Sequence, residues 1–214
     1  MILGITPARG GSKGILRKNI KKVYNKSLIA WTIESAKKSK LLDKYVVSTE
    51  DEEITEISKK YGADVIHRPN ELATDDATSL SVLQHVLTQI DADIIVILQC
   101  TSPVRDDDLI DNCIKKFIES DADSLATGFM CKLFEWGTYS NRRQELKEFF
   151  HDDGNVYVVK SSVIKSGNLW GEKMEKLLIN KEQNFEIDDE FDFWINEQIL
   201  KKRNCYENNV KRLS

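Results

Sequence analysis

Short, unbroken apolar runs alternate with longer stretches of helical period along most of this chain. Ile2, Leu3 and Ile5 form the first run, which predicts a buried strand ending at Pro7. Leu28, Ile29, Ile33 and Ala36 then share one helical face. Lys37, Lys38 and Lys40 crowd the end of that helix, where its dipole favours cations. Tyr45 to Ser48 predict a short strand, and Ile54, Ile57 and Tyr61 a helix that stops at Gly62. Val65 and Ile66 make a brief strand before Arg68 and Pro69. Thr74 to Asp76 are suited to cap a helix in which Leu80, Leu83, Leu87 and Ile90 recur at helical spacing. Ile94 to Leu98 are apolar at every position, the mark of a central strand covered on both faces. Leu109, Cys113 and Phe117 predict the next helix.

From about 130 to 150 the period is lost, and Trp136, Tyr139, Phe149 and Phe150 stand among charges. This predicts an excursion from the sheet, either a lid or an arm used for dimerisation. Asn155 to Lys160 return to a strand. Phe191, Trp194, Ile195 and Ile199 make a closing amphipathic helix, with Lys201, Lys202 and Arg203 at its end. The β-α-β-α order predicts an α/β fold, a doubly wound, mostly parallel sheet with right-handed crossovers. Without repeats or a low-complexity linker, residues 1–214 are expected to form a single domain.

Composition narrows the function classes. The 214 residues are 41% hydrophobic and 31% charged, as in an ordinary globular protein, and the net charge of −4 disfavours nucleic acid as a partner. No run approaches the ~18 apolar residues of a membrane span, so no membrane partner and a cytoplasmic location are expected. Cys100, Cys113, Cys131 and Cys205 lack the paired spacing of a zinc or disulfide framework, and buried reduced thiols are expected. His67, His85 and His151 are scattered.

The chemistry begins directly after the first strand. Ala8, Arg9, Gly10, Gly11, Ser12, Lys13 and Gly14 lead to Arg17, Lys18 and Asn19. Glycines let successive backbone N–H groups face one concavity, and the basic side chains supply charge for a polyphosphate. The segment lacks the glycine spacing of the dinucleotide fingerprint and the Gly-Lys-Ser/Thr ending of a Walker loop. It is either a basic surface turn or a phosphate-binding loop, and its place after a first strand favours the loop.

Two further segments carry candidate chemistry. Gln99, Thr101 and Ser102 follow the central strand, where open α/β sheets bind ligands; the same segment also makes a Pro-punctuated turn before Asp106 to Asp108. Near the end, Glu186 and Asp188 would point to the same side of an extended stretch, a pair of hard carboxylates suited to Mg²⁺, or possible for Mn²⁺. Asp189, Glu190 and Asp192 complement the positive start of the last helix whatever the function.

Together these blocks resemble the cytidylyltransferases that activate nonulosonic acids, the CMP-sialic acid synthetases and their legionaminate and pseudaminate relatives. The resemblance rests on Pro7 to Asn19, on Arg68-Pro69 with Glu71-Leu72-Ala73, and on Leu98-Gln99-Cys100-Thr101-Ser102-Pro103-Val104-Arg105. It continues through Arg143-Gln144, Gly154 to Tyr157 and the final acidic segment, so it spans nearly the whole chain.

It implies a Rossmann-like nucleotidyltransferase fold and transfer of CMP from CTP to the anomeric hydroxyl of a nine-carbon α-keto acid sugar, releasing pyrophosphate. By resemblance, Arg9, Ser12, Lys18 and Asn19 hold the triphosphate, with Ala8, Gly10 and Gly11 in the same loop. Arg68 and Ser79 lie beside the cytidine. Gln99, Arg143 and Tyr157 face the sugar, Arg143 as partner of its carboxylate. Glu186 and Asp188 match the metal-binding acids, so that Arg9, Lys18 and Asp188 carry catalysis. The aromatic segment at 130–150 belongs to a homodimerisation arm.

The chain departs from the family pattern at Leu16 and Cys100, each in place of a proline, and at Glu186, where many members have aspartate. His151-Asp152-Asp153-Gly154 stands where the sialic acid branch often has Arg-Pro-Asn-Gly, which touches sugar identity and not the phosphate loop. The alternatives are a cytidylyltransferase for 3-deoxy-manno-octulosonate, from which the first loop differs, and a non-catalytic nucleotide-binding regulator. The carboxylate pair and Arg143 oppose the regulator. A phosphohydrolase would need a device to hold an in-line water, and none is evident.

Overall fold

In the computed structural model the first apolar run forms β1 (Ile2–Pro7), and its inward residues Leu3 and Ile5 have no solvent exposure. The structure describes residues 1–214 except Lys13, Glu135, 138–141 and Ser214, and excludes the side chains of Arg143 and of 206–213. The expectations placed on Lys13 and Tyr139, and on the side chain of Arg143, therefore lie outside the described residues.

After a loop and a 3-10 turn at Lys18–Ile20, a small hairpin pairs β2 (Lys22–Val23) with β3 (Lys26–Ser27). The helix α1 (Leu28–Lys38) follows, then β4 (Lys44–Thr49), α2 (Glu52–Lys60), β5 (Asp64–His67) and α3 (Ser79–Gln89). Next come β6 (Ile94–Leu98), α4 (Leu109–Ser120) and β7 (Ser124–Cys131). The chain closes with β8 (Phe149–Lys160), α5 (Ser161–Lys165), β9 (Met174–Leu178) and α6 (Glu190–Leu213).

Seven strands form one sheet in the order β5-β4-β1-β6-β8-β7-β9. The pairs from β5 to β6 are parallel, β8 runs antiparallel to both β6 and β7, and β9 is parallel to β7. This is the expected doubly wound, mostly parallel α/β sheet. Alternation along the strands explains its two covered faces. Ile95 and Ile97 of β6 join Leu3, Ile5 and Val46 under α3 and α5. Val96 and Leu98 pack with Ile110, Cys113, Ile114 and Phe117 of α4 on the opposite face. Beside them α1, α2 and the start of α6 cover Val47.

Several elements differ from expectation. The strand expected from Asn155 begins at Phe149, because Phe149 to Asp152 pair with Gly128 to Cys131 of β7. That strand half is ordered by its neighbour and shows no hydrophobic alternation of its own, so the sequence hides it. The cap of α3 is Thr78, whose side chain accepts the Ser81 N–H, whereas Thr74 and Asp75 instead bind Arg9. The last helix runs past Lys201, Lys202 and Arg203 to Leu213. Of the cysteines, Cys100 and Cys113 are buried, Cys131 is half-buried and Cys205 is exposed, all with free thiols.

Candidate active site

At the carboxyl ends of β1 and β6, where neighbouring crossovers leave in opposite directions, a cavity of about 400 Å³ opens. The first loop supplies Arg9, Ser12, Lys18 and Asn19 to its wall. Arg68 and Ser79 enter from the ends of β5 and α3, and Gln99 and Asp188 complete it. Three separate segments are pinned together there by two hydrogen bonds. The Ile187 N–H donates to the Thr101 carbonyl at 2.8 Å, and Lys18 Nζ donates to the Ile187 carbonyl at 2.5 Å. Lys18 Nζ also lies 3.6 Å from Asp188 Oδ1. The first-loop lysine and one acidic residue, 170 positions apart, thus face each other.

The loop is built for close approach at Gly14. A Cβ there would lie 2.5 Å from the Asp188 carbonyl oxygen, so any side chain would force the acidic segment away. Arg9 extends to the far wall, bonding the Thr74 carbonyl at 3.1 Å and Asp75 Oδ1 at 2.8 Å. Asn19 is buried and its Nδ2 donates to the Arg9 carbonyl at 2.9 Å, which fixes the loop's curvature.

Other loop residues have local partners. The Ala8 N–H donates to the Ser48 carbonyl, and the Gly10 N–H to Glu50 Oε1 at 2.7 Å. Ala8, Gly10 and Gly11 are not among the residues that line the cavity. Arg17, expected as one of the loop cations, has the left-handed φ of 56° and is held by Asp51 and Glu53, so its charge is spent outside the cavity. These ion pairs stabilise a backbone conformation that a non-glycine residue adopts only at a cost.

The segment after β6 is anchored from beneath. Arg105 is buried, and its guanidinium donates to the Gln99 carbonyl at 2.6 Å, the Asn155 carbonyl at 3.0 Å and the Thr32 hydroxyl at 3.0 Å. Burial pushes its pKa down to about 10. The arginine that ends the Gln99–Arg105 motif is a scaffold under Gln99 and has no part in the cavity wall. Cys100, in place of a proline, is buried at the cavity floor, where burial pushes its thiol up to about 12.

Glu186 stands just outside the cavity. Its Oε1 accepts from the Thr101 hydroxyl at 2.8 Å, and Gly154, with φ +68°, passes close to its carboxylate. Burial, together with the charges of Asp188 and Asp152, raises the Glu186 pKa despite the Thr101 bond. Among the described residues, no three His, Cys, Asp or Glu side chains converge as a metal-ligand set.

Tyr157 lines a second, mainly apolar pocket of about 180 Å³ that shares Ser79 and Gln99 with the first. Its wall includes Ile97, Leu169 and Trp170, and Trp170 meets the Tyr157 ring edge-on at 6.2 Å. The Tyr157 hydroxyl donates to Asp152 Oδ2 at 2.5 Å. Asp153, one of the departures, is instead buried, with its Oδ1 accepting from the Thr127 hydroxyl and the Asn155 N–H. Sequence reasoning missed Trp170 and Glu50, since neither belongs to a recognisable motif, and it placed Asp152 in the His151–Gly154 block without foreseeing its bond to Tyr157.

A cationic loop and a carboxylate face one cleft at the strand ends of a doubly wound α/β sheet, where such sheets bind ligands. The chain belongs to the cytidylyltransferase family, which it matches over residues 3–210. It is 30% identical over 221 residues to an N-acylneuraminate cytidylyltransferase of Escherichia coli, a match covering 95% of this chain and 53% of that protein. The chain thus spans about half the length of that relative. A pseudaminic acid cytidylyltransferase of Campylobacter jejuni is 34% identical over 177 residues, covering 72% of this chain and 76% of the relative. Among solved structures, a CMP:2-keto-3-deoxy-manno-octonic acid synthetase complexed with CTP superposes with a TM-score of 0.76. It is 12% identical and the match covers 94% of this chain and 99% of that one, a likeness of fold.

Proposed function

We propose that this chain transfers CMP from CTP to the anomeric hydroxyl of a nonulosonic acid and releases pyrophosphate. The observation that carries the reading is the shared wall at Ser79 and Gln99, where the cationic cavity meets the apolar pocket holding Tyr157. One chamber suits a nucleoside triphosphate and the other an acylated sugar, with the reacting atoms between them. The names of the relatives from Escherichia coli and Campylobacter jejuni support a nine-carbon acid as the sugar.

Arg9, Ser12, Lys18 and Asn19 bind and orient the triphosphate, while Arg68 and Ser79 hold the cytidine. Attack on the α-phosphorus is limited by charge repulsion and alignment, so fixed cations contribute most where the pyrophosphate develops charge. Lys18, held by the Ile187 carbonyl, has its ammonium preorganised for that task. Gln99 and Tyr157 orient the sugar, and Arg143, assigned by resemblance, grips its carboxylate.

The donor set fits a hard divalent cation. Burial first, and the neighbouring Asp188 charge after it, raise the Glu186 pKa, a cost that a cation would offset. Glu186 and Asp188 would hold Mg²⁺ or Mn²⁺, which when bound polarises phosphate oxygens. CTP as substrate and four free thiols fit a cytoplasmic enzyme. Leu133, Phe134 and Trp136, the last 95% exposed, are the surface proposed for homodimerisation. No helix among the described residues is long and apolar enough to cross a membrane.

The test is to incubate the protein with CTP, Mg²⁺ and a panel of sialic, legionaminic, pseudaminic and 3-deoxy-manno-octulosonic acids while following pyrophosphate release. Turnover with at least one nine-carbon acid, and none with ATP or GTP in place of CTP, is expected. Turnover with the eight-carbon acid alone would reassign the acceptor, and equal use of purine triphosphates would defeat the reading.

A further inference from the structure

We propose that Glu50 is a positioning residue that sets pyrimidine discrimination by locking Arg68 onto the phosphate loop. Glu50 stands at the turn between β4 and α2, outside every motif that carries the family resemblance. One of its oxygens accepts the Gly10 N–H at 2.7 Å and the other accepts Arg68 Nε at 3.1 Å. A single carboxylate, 14% exposed, thereby joins the loop to the residue on the cavity's other wall. Arg68 is only 3% exposed, and its Nη2 is buried without a hydrogen-bond partner in the structure.

Arg68 lines the cavity, so a ligand acceptor there would meet its guanidinium N–H groups and repay part of the cost of burying them. Cytosine offers acceptors at O2 and N3, whereas uracil carries a hydrogen on N3. A guanidinium N–H presented to that edge therefore matches cytosine and opposes uracil. Discrimination of this kind needs the guanidinium to be charged and fixed. Burial and the nearby Arg9 lower the Arg68 pKa, and the Glu50 charge counters both. With Nε held by Glu50, the Arg68 plane cannot rotate to follow the wrong base. The other oxygen links that plane to the loop that receives the phosphates, so base and triphosphate are read in one register.

The inference rests on the placement of the cytidine beside Arg68 proposed above, and the experiment separates the two. Dissociation constants of CTP and UTP would be measured calorimetrically with the full chain in Mg²⁺, for the wild type, Glu50→Gln, Glu50→Asp and Arg68→Lys. A ratio of the two constants does not depend on the fraction of folded protein, so a purely structural role for Glu50 would leave it unmoved. Glu50→Gln is expected to reduce the preference for CTP about tenfold, as is Arg68→Lys. Glu50→Asp keeps the charge but is one methylene too short for both bonds, and should reduce the preference by about threefold. A variant carrying both Glu50→Gln and Arg68→Lys, measured alongside, should lose no more than Arg68→Lys alone, because both act through one contact. If Arg68→Lys loses the preference while both Glu50 variants keep it, the role of Glu50 is overturned. If Arg68→Lys keeps the preference, the base lies elsewhere and the cytidine placement fails first.

Discussion

Asp188 shows how exposure and chemistry separate at a single residue. Its side chain is 80% exposed and its ordered partner is Lys18 at 3.6 Å, so replacing it costs the fold little. Asp188→Asn should leave the urea midpoint unchanged yet lower CMP transfer by about two orders of magnitude, with Glu186→Gln acting in the same direction. Full activity in Asp188→Asn at low Mg²⁺ would return the acidic segment to helix capping. Asp153 behaves in the opposite way. Burial raises its pKa above the ordinary 3.8, so the folded state keeps the proton to higher pH than the unfolded state does. Stability is therefore lost as pH rises from 3.8 through the native value. Asn at this position keeps an oxygen for Thr127 and the Asn155 N–H. Urea midpoints from pH 3.5 to 8 should show the wild type declining relative to Asp153→Asn on the alkaline side, and parallel curves would contradict this.

At the scale of elements, the turn from β4 into α2 holds the shape of the loop after β1. Asp51 accepts the Ile54 N–H as the cap of α2, and the same carboxylate grips Arg17. Arg17 holds the Asp51 pKa low, so this support is present above its ordinary value and is lost on acidification. Asp51→Ala should destabilise the protein by about 1 kcal/mol for the cap alone. It should also weaken CTP binding through the released loop, which Asp51→Asn, retaining a capping oxygen, repairs only for stability. Thermal unfolding and calorimetry on the two variants separate cap from clamp. The loop itself was legible in the sequence because glycines and cations cluster after an apolar run. Its clamp was not, since Asp51 looks like any N-cap and its second partner lies 34 residues away.

For the whole molecule, one group of exposed apolar residues lies beyond β7 and at the start of β8. Leu133, Phe134 and Trp136 follow β7, and Phe149 opens β8, all substantially exposed in the single chain. A cluster of this kind facing water is costly unless it is covered. Light scattering behind size exclusion should give twice the chain mass of 24.6 kDa, and Trp136→Glu with Leu133→Glu should halve it. A monomer in the wild type would leave this segment as a lid. The same strands show where the sequence was mute. β8 pairs antiparallel with both β6 and β7, and β9 joins the edge, an arrangement set by strand pairing over distances that no local period records.

Local physics was enough to write the layered α/β order into the chain and to mark the glycine-rich basic loop and the Glu186–Asp188 segment as candidates, because each depends on residue types within one turn or one strand. Periodicity reports which face is buried, and glycine with cations reports a concave anion site. The tertiary structure alone decided which groups remain available to a ligand. It spent Arg17 on Asp51, sank Arg105 beneath Gln99, occupied the Gly10 N–H with Glu50 and set Lys18 against Asp188. Those outcomes turn on contacts across the sheet, where desolvation and pairing fix whether a charge serves the scaffold or faces the cleft.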